Sequence, residues 1–153
     1  MRILKKILLG VDDSSFSQAA VEAVAQRLWD AGTHVKIVSA VDNHFAASDG
    51  SNQYEIARHA LDRAVATLRQ SRNQFELSGE IIEGAPKEVL LAEAEKWGAE
   101  LLVVGSHGRR GLDRFLLGSV SQAVALHAPC SVEIVRTPGL HKKSGAAQTS
   151  STA

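Results

Sequence analysis

The sequence predicts a Rossmann-like α/β domain built on a single open, five-stranded parallel sheet with helices on both faces. Short β-type apolar runs alternate with segments of helical spacing throughout residues 1–136. Strands that alternate with helices are joined by right-handed crossovers and therefore lie parallel. A chain of 153 residues with 44% hydrophobic residues is large enough to form one core without disulfides.

The first strand and helix are marked by a change of periodicity near residue 12. Ile7–Val11 is a continuous apolar run, as expected of a strand that is buried on both faces. Asp13 or Ser14 is the expected N-cap of the following helix, and Gly32 is expected to end it. The apolar stripe of this helix is predicted to contain Phe16, Ala19, Ala20, Ala23, Val24 and Leu28.

A polar stretch separates the second strand from the second helix. Residues 35–41 form another β-type run, whereas residues 43–52 lack periodicity and predict a mobile loop. The second helix is predicted from apolar residues three and four apart: Ile56, Ala57, Ala60, Leu61, Ala64, Val65 and Leu68. A third strand is predicted from an alternating set: Phe75, Leu77, Gly79 and Ile81.

The remaining elements follow the same alternation. Pro86 suits the first position of a third helix, and Gly98 suits its C-terminal cap. Residues 101–104 predict a fourth buried strand and residues 132–135 predict the last strand. The helix between these strands is predicted from three apolar residues: Val120, Val124 and Leu126.

Composition excludes several classes of protein. The 17 basic and 17 acidic residues cancel, so no overall field favours nucleic acid or an anionic membrane. The apolar run at 7–11 is too short for a signal peptide or a membrane span, and Cys130 has no second cysteine to pair with. We expect a cytoplasmic protein that binds neither nucleic acid nor membrane. Residues 137–153 are small and polar, which predicts a disordered tail.

The segment that indicates a ligand site is VVGSHGRRGLDRFLLGSVS at residues 103–121. Its glycines follow the spacing G-x2-G-x9-G-[ST], with Gly105, Gly108 and Gly118 preceding Ser119. Glycines between a strand and a helix let backbone N–H groups approach phosphate oxygens closely. The hydroxyls of Ser119 and Ser121, at the start of the next helix, are expected to add donors. Of the three nearby arginines, we expect Arg109 to bind a phosphate.

Asp12 is the second feature that indicates a nucleotide. Ligands of open parallel sheets bind at the carboxyl ends of the strands, where the strand order reverses. A reversal between the first and fourth strands would bring Asp12 beside the glycines, where a carboxylate can accept hydrogen bonds from ribose hydroxyls. His107 lies between the glycines, but no carboxylate or cysteine has a catalytic spacing to it, so we expect a structural or rim position.

These segments resemble the universal stress protein family, in particular its ATP-binding branch. The resemblance rests on ILLGVDDS at 7–14, SAVD at 39–42 and GSHGRRGLDRFLLGSVS at 105–121, in that order. It implies the strand order 3-2-1-4-5 and a homodimer formed through Val132–Val135. It also implies an adenosine site at Gly10, Val11, Asp12 and the backbone of Ala40. The phosphates would be lined by Val104, Gly105, Gly108, Arg109, Gly118, Ser119, Val120 and Ser121.

Three functions are compatible with this sequence. The leading interpretation is a stress-response regulator or sensor that acts through ATP occupancy and dimerisation, with ADP or AMP as alternative ligands and with or without Mg²⁺. A slow ATP hydrolase and an interaction module that binds no nucleotide are the alternatives. The chain lacks the G-x-x-x-x-G-K-[ST] motif, and it has no lysine between Lys96 and Lys142. We therefore predict no catalytic residue and no protein-held metal.

Overall fold

The computed structural model describes residues 3–43, 52–108 and 116–137. Strands and helices alternate through these ranges without exception. Their bounds, in chain order, are β1 Lys6–Gly10, α1 Ser15–Gln26, β2 His34–Val41, α2 Gln53–Arg69, β3 Glu76–Glu83, α3 Pro86–Trp97, β4 Leu101–Gly105, α4 Ser119–His127 and β5 Ser131–Val135.

The five strands form one parallel sheet in the order β3-β2-β1-β4-β5. β1 pairs with β2 as far as Gly10 opposite Val38, and it pairs with β4 as far as Leu9 opposite Val103. The chain builds outwards from β1 to β3 and then returns to the other side of β1 to form β4. This arrangement confirms the predicted fold class and order, and it creates a crevice above the ends of β1 and β4.

Two aliphatic cores cover the two faces of the sheet. α1 and α2 pack on one face, and α3 and α4 pack on the other. β1 contributes to both cores because successive strand residues point to opposite faces. Ile7 and Leu9 lie in the first core, Leu8 lies in the second, and all three are fully buried. The sheet is therefore the rigid layer from which the loops of the crevice extend.

The C-terminal end of α1 differs from its prediction. The helix ends at Gln26, so Leu28 lies beyond it and is 83% exposed instead of contributing to the apolar stripe. Asn73, from the segment before β3, donates to the carbonyls of Ala25 and Arg27 and thereby satisfies the end of the helix. The prediction that Gly32 ends α1 is wrong. Its φ of 81° places it in the turn before β2.

Leu126 is the second apolar residue that was assigned wrongly. It lies in α4 but is 77% exposed, whereas Val124 is fully buried. Two helical residues separated by two positions point in nearly opposite directions, so both cannot face the core. The caps of α3 agree with prediction, because Pro86 occupies its first turn and Gly98 follows it in the left-handed conformation with φ 74°.

An ion pair connects β2, β3 and α3. The ammonium of Lys36 bonds to Glu93, which is 5% exposed, and lies 3.1 Å from the Glu80 carboxylate. Burial alone would lower the pKa of Lys36, but the hydrogen bonds that its ammonium donates to Glu93 and Glu80, together with their negative charges, outweigh burial and raise the pKa above its ordinary value. Burial raises the pKa of the Cys130 thiol, which keeps it protonated near neutral pH.

No helix within the described ranges is long and apolar enough to cross a membrane. Of the polar stretch at 43–52, the structure describes Asn43 and Asn52, and of the predicted tail at 137–153 it describes Thr137. Arg109 also lies outside the described residues. The predictions of loop mobility, a disordered tail and an arginine at the phosphates therefore stay predictions.

Candidate functional site

The loops that follow β1 and β4 meet at the carboxyl edge of the sheet. A Cβ atom added to Gly108 would lie 3.1 Å from Oδ2 of Asp12. This proximity follows from the strand order, since β1 and β4 are adjacent and end at the same edge. The structure thus brings Asp12 beside the glycine segment, as the reversal of strand order predicted.

Asp12 also organises the start of α1. Its Oδ1 accepts hydrogen bonds from the backbone N–H and the hydroxyl of Ser14, and its own N–H donates to Oγ of Ser17 over 2.9 Å. The Ser14 hydroxyl accepts from the Ser17 N–H over 3.1 Å, which makes Ser14 the N-cap. One carboxylate oxygen therefore serves the fold, while Oδ2 faces Gly108.

Ala40 presents backbone groups to the same crevice. The Val38 carbonyl accepts from the Val11 N–H on the β1 side, and the Val41 carbonyl accepts a hydrogen bond on the β3 side. Because the N–H and C=O groups of a strand alternate between its two sides, those of Ala40 point towards β1. The β1 pairing ends at Gly10, so the donor and acceptor of Ala40 face the space beyond the end of that strand.

The N-cap of α4 is Gly118, a residue with no side chain that could cap the helix. Gly118 has φ −67° and ψ 166°, and its N–H donates to the Ser106 carbonyl over 2.8 Å. The N–H groups of the first helical turn have no carbonyl acceptor one turn earlier in the helix. They are the backbone amides of Ser119, Val120 and Ser121. Amides of this kind, together with the positive end of a helix dipole, favour a negative charge.

The carbonyl of Ser106 joins the end of β4 to the start of α4. It accepts from the Gly118 N–H and, over 2.9 Å, from the hydroxyl of Ser121, which is 1% exposed. The Ser121 hydroxyl is also 2.9 Å from the Gly118 carbonyl. Its single proton is engaged by these acceptors, so the Ser121 hydroxyl has no proton left to donate to a phosphate. Ser119 is exposed.

Close backbone packing explains two of the motif glycines. A Cβ atom on Gly105 would lie 2.5 Å from the carbonyl oxygen of Phe16, so only glycine lets the first turn of α1 rest on β4. A Cβ atom on Gly118 would lie 3.1 Å from Cα of His107 and 3.4 Å from the Ser106 carbonyl oxygen. Neither glycine has a positive φ. Proximity to backbone requires glycine at position 105, whereas at position 118 a side chain would be tight against its neighbours.

Three other predicted residues have their side-chain positions on the face covered by α3 and α4. A Cβ atom on Gly10 would lie 2.7 Å from Cδ1 of Leu90. Val104 is 4% exposed in the same core, and Val120 packs against it from α4. Any contact that these residues make with a ligand would therefore come from their backbone atoms.

His107 is buried, as expected of a structural position. Its Nδ1 is 3.0 Å from the Ser106 hydroxyl, its Nε2 is hydrogen-bonded to the Leu116 carbonyl, and its ring lies 5.0 Å from that of Phe16. Both ring nitrogens are therefore hydrogen-bonded to groups of the protein itself. In the described part of the chain, no group of three or more His, Cys, Asp or Glu residues could hold a metal ion.

Sequence reasoning missed the contributions of Ser17 and Ser106. Ser17 lies inside α1 but accepts a bond from the strand end at Asp12, and Ser106 carries the carbonyl that anchors α4. Both are serines that are nearly fully buried, at 5% and 3% exposure. Burial of a small polar residue next to a glycine motif is the relevant signal, and it becomes visible only in the folded chain.

Comparisons with known proteins identify the family of this chain. Residues 4–136 match the model of the universal stress protein family. A homologue of universal stress protein A from Coxiella burnetii is 30% identical over 142 residues, which cover 88% of this chain and 97% of that protein.

Two solved structures share the fold and allow a wider comparison. A hypothetical protein designated MJ0577 has a TM-score of 0.75 and 25% identity, over 89% of this chain and 98% of that chain. A universal stress protein solved in complex with cAMP has a TM-score of 0.61 and 29% identity, over 88% and 98%. By its sequence, its strand order and its crevice, this chain belongs to the universal stress protein family.

Proposed function

We propose that this protein is an ATP-binding regulatory protein of the stress response, in which nucleotide occupancy is the signal. The phosphates would lie at the start of α4, the ribose at Oδ2 of Asp12, and the adenine at the backbone of Ala40. The observation that carries the proposal is the position of the uncapped helix start at Gly118 relative to Asp12, with Gly108 between them.

The adenosine half is supported by the free groups at the ends of β1 and β2. A carboxylate oxygen accepts hydrogen bonds from hydroxyls, which suits Asp12 to the ribose. An N–H and a C=O side by side, as at Ala40, match the acceptor N1 and the donor N6 of adenine. Guanine carries the opposite donor and acceptor at the corresponding edge, so this arrangement favours adenine.

The phosphate half supplies part of the affinity. Three N–H donors to a charged phosphate would contribute about 1.5–3 kcal/mol each, or roughly 5–9 kcal/mol before association costs. A micromolar ligand needs about 8 kcal/mol net. The helix start alone therefore falls short, and the ligand must also bind through its nucleoside. The relative solved with cAMP, which has an adenosine and a single phosphate, supports an adenine nucleotide as the ligand class.

A regulatory role fits the site better than catalysis. The imidazole of His107 is engaged at both nitrogens, and Asp12 already holds two hydrogen bonds through Oδ1. A bound triphosphate would carry any Mg²⁺ with it. The proposal accordingly includes tight binding without rapid turnover, in the cytoplasm.

Homodimerisation through β5 completes the proposal. β5 is an edge strand, and the Val135 carbonyl accepts from the N–H of Ser106, directly after β4. The backbone groups of Val132 and Ile134 therefore point towards the free edge. The opposite edge strand, β3, carries three glutamates, at positions 76, 80 and 83, which discourage pairing there. Ile134→Pro would remove an outward N–H without touching the bonds to β4. Sedimentation equilibrium should then show a monomer, and an unchanged dimer would exclude this edge.

Nucleotide binding is tested most directly on the purified wild-type protein. Mass spectrometry of the denatured protein should reveal a released adenine nucleotide, and calorimetric titration should give the affinity order ATP, ADP, AMP. GTP should bind at least about tenfold more weakly, because it mismatches the Ala40 edge. Phosphate release with Mg²⁺ should stay near background. The absence of both a co-purified nucleotide and binding heat would refute the proposal.

A further inference from the structure

The imidazole of His107 connects the end of β4 with the segment that precedes α4. Its Nε2 bonds to the carbonyl of Leu116, and its Nδ1 lies 3.0 Å from the hydroxyl of Ser106. A carbonyl can only accept, so Nε2 carries the proton in the neutral ring. The Ser106 hydroxyl then donates its proton to Nδ1. These two bonds fix the tautomer as well as the position of the ring.

The ring is also held from its sides. It is 9% exposed, and the ring of Phe16 in α1 lies 5.0 Å away at an angle of 50°. The Cα atom of His107 would be 3.1 Å from a Cβ on Gly118. His107 is thus in contact with α1, with the end of β4 and with the residue that starts α4.

We propose that His107 is a positioning residue for the nucleotide: its imidazole fixes the chain at Leu116, two residues before Gly118, and so orients the free amides of α4. This inference rests on the proposed nucleotide site. The backbone bond from Gly118 to the Ser106 carbonyl sets the distance between the two loops. The hydrogen bond between the imidazole and the Leu116 carbonyl adds a second connection nearby. With two connections, the start of α4 cannot rotate relative to the loop after β4, whereas one connection would allow it.

The two hydrogen bonds of the His107 imidazole distinguish a positioning role from catalysis and from simple packing. Both ring nitrogens are occupied by the protein, so the ring has no free atom for a substrate. An apolar side chain of similar size would fill the same space but would break both connections. Glutamine retains a side-chain N–H donor for the Leu116 carbonyl. The pair His107→Leu and His107→Gln therefore separates hydrogen bonding from volume.

The first measurement is calorimetric titration with ATP. His107→Leu should weaken ATP binding about tenfold, which is the effect of losing roughly one well-formed hydrogen bond, and His107→Gln should stay within about threefold of wild type. His127→Leu, on the exposed end of α4, is the matched control and should bind as wild type. Wild-type affinity in His107→Leu, or equal weakening in both His107 variants, would overturn the proposal.

A second measurement needs no nucleotide. In the ligand-free protein, amide hydrogen exchange at Gly118 and Gln122 should accelerate in His107→Leu and return towards wild type in His107→Gln, and nitrogen NMR should show the Nε2–H tautomer. Unchanged exchange or the opposite tautomer would refute the positioning role even if ATP binds. If wild-type protein binds no nucleotide while exchange responds as expected, the proposed function fails but His107 still orders the start of α4.

Discussion

The starts of α1 and α4 lie at the same edge of the sheet, yet they are built in opposite ways. At α1, the Ser14 hydroxyl caps the helix and Asp12 accepts two further bonds, so side chains of the protein accept from the N–H groups of Ser14 and Ser17. At α4, the N-cap is Gly118, which has no side chain to offer. Both helix starts have the same dipole and the same spare N–H groups. They differ in whether the sequence supplies an acceptor.

The difference assigns separate tasks to the two helices. A helix whose first turn is already capped contributes stability and leaves little for an anion. A helix that begins on glycine leaves its amides for an external acceptor. Asp12 links the two helix starts. Its Oδ1 accepts hydrogen bonds at the capped start of α1, while its Oδ2 faces Gly108, near the start of α4 that has no side-chain cap. The predictions below test this division, from the largest expected effect to the smallest.

The largest effect is expected from Gly118→Val. The φ of −67° suits any residue, so the backbone itself is not strained, but the new side chain would press against His107 and the Ser106 carbonyl. The start of α4 would move away from the 106–108 loop, and we expect ATP affinity to fall about 100-fold, or about 2.7 kcal/mol. Isothermal titration calorimetry measures this loss.

A valine elsewhere on the same helix provides the control. Ala125→Val adds the same branched side chain at an exposed position of α4 and should leave ATP affinity unchanged. Gly118→Ala, with its single methyl group, should give an intermediate loss. If Gly118→Val binds ATP like wild type, the open helix start is not where the phosphates lie.

Asp12 should show an effect on both binding and stability. Asp12→Ala removes the acceptor of two bonds at α1 and should lower the free energy of unfolding by about 1–2 kcal/mol. It should also weaken ATP binding about tenfold, because the ribose loses a charged acceptor. Asp12→Asn keeps an oxygen for Ser14 and should recover most of the stability while binding ATP less tightly than wild type.

A ligand analogue tests the ribose contact itself. Wild-type protein should prefer ATP over 2′,3′-dideoxy-ATP, and Asp12→Ala should bind both equally, since the missing hydroxyls and the missing carboxylate are the same contact. A preference that survives in Asp12→Ala would show that another group holds the ribose.

The sequence predicted the elements well because periodicity reports which residues face the core. Apart from Leu126, where local helical spacing was misjudged, the prediction failed where a distant residue decides the outcome. Asn73 ends α1 at Gln26, and no local signal near Leu28 could indicate this. The glycine spacing located the site, but the reason for Gly105 is the carbonyl of Phe16, which another element supplies. The Ser121 hydroxyl was expected to face a phosphate and instead bonds to Ser106, for the same non-local reason.

Two serine variants should have opposite effects: one should lower stability without changing ATP affinity, and the other should lower ATP affinity with little change in stability. Ser14→Ala removes the cap of α1 and should lower the free energy of unfolding by about 1 kcal/mol with ATP affinity within about twofold of wild type. Ser119→Ala, at the open start, should change stability by less than about 0.5 kcal/mol and weaken ATP binding several-fold. Urea denaturation and calorimetry on both variants measure the four quantities. A loss of ATP binding in Ser14→Ala would mean that α1 also contributes to the ligand site.

Inorganic phosphate should give the smallest effect and the most direct comparison of the two helices. A free anion at an exposed helix start contributes about 0.3–1 kcal/mol, so millimolar phosphate should raise the unfolding free energy only slightly. In an NMR titration, the shifted amides should be those of Ser119, Val120 and Ser121. The Ser17 amide should not move, because the Ser14 hydroxyl already occupies it. Opening α1 with Ser14→Gly should make Ser17 respond as well. If it does not, the acceptor supplied by Ser14 is not what distinguishes the two helix starts.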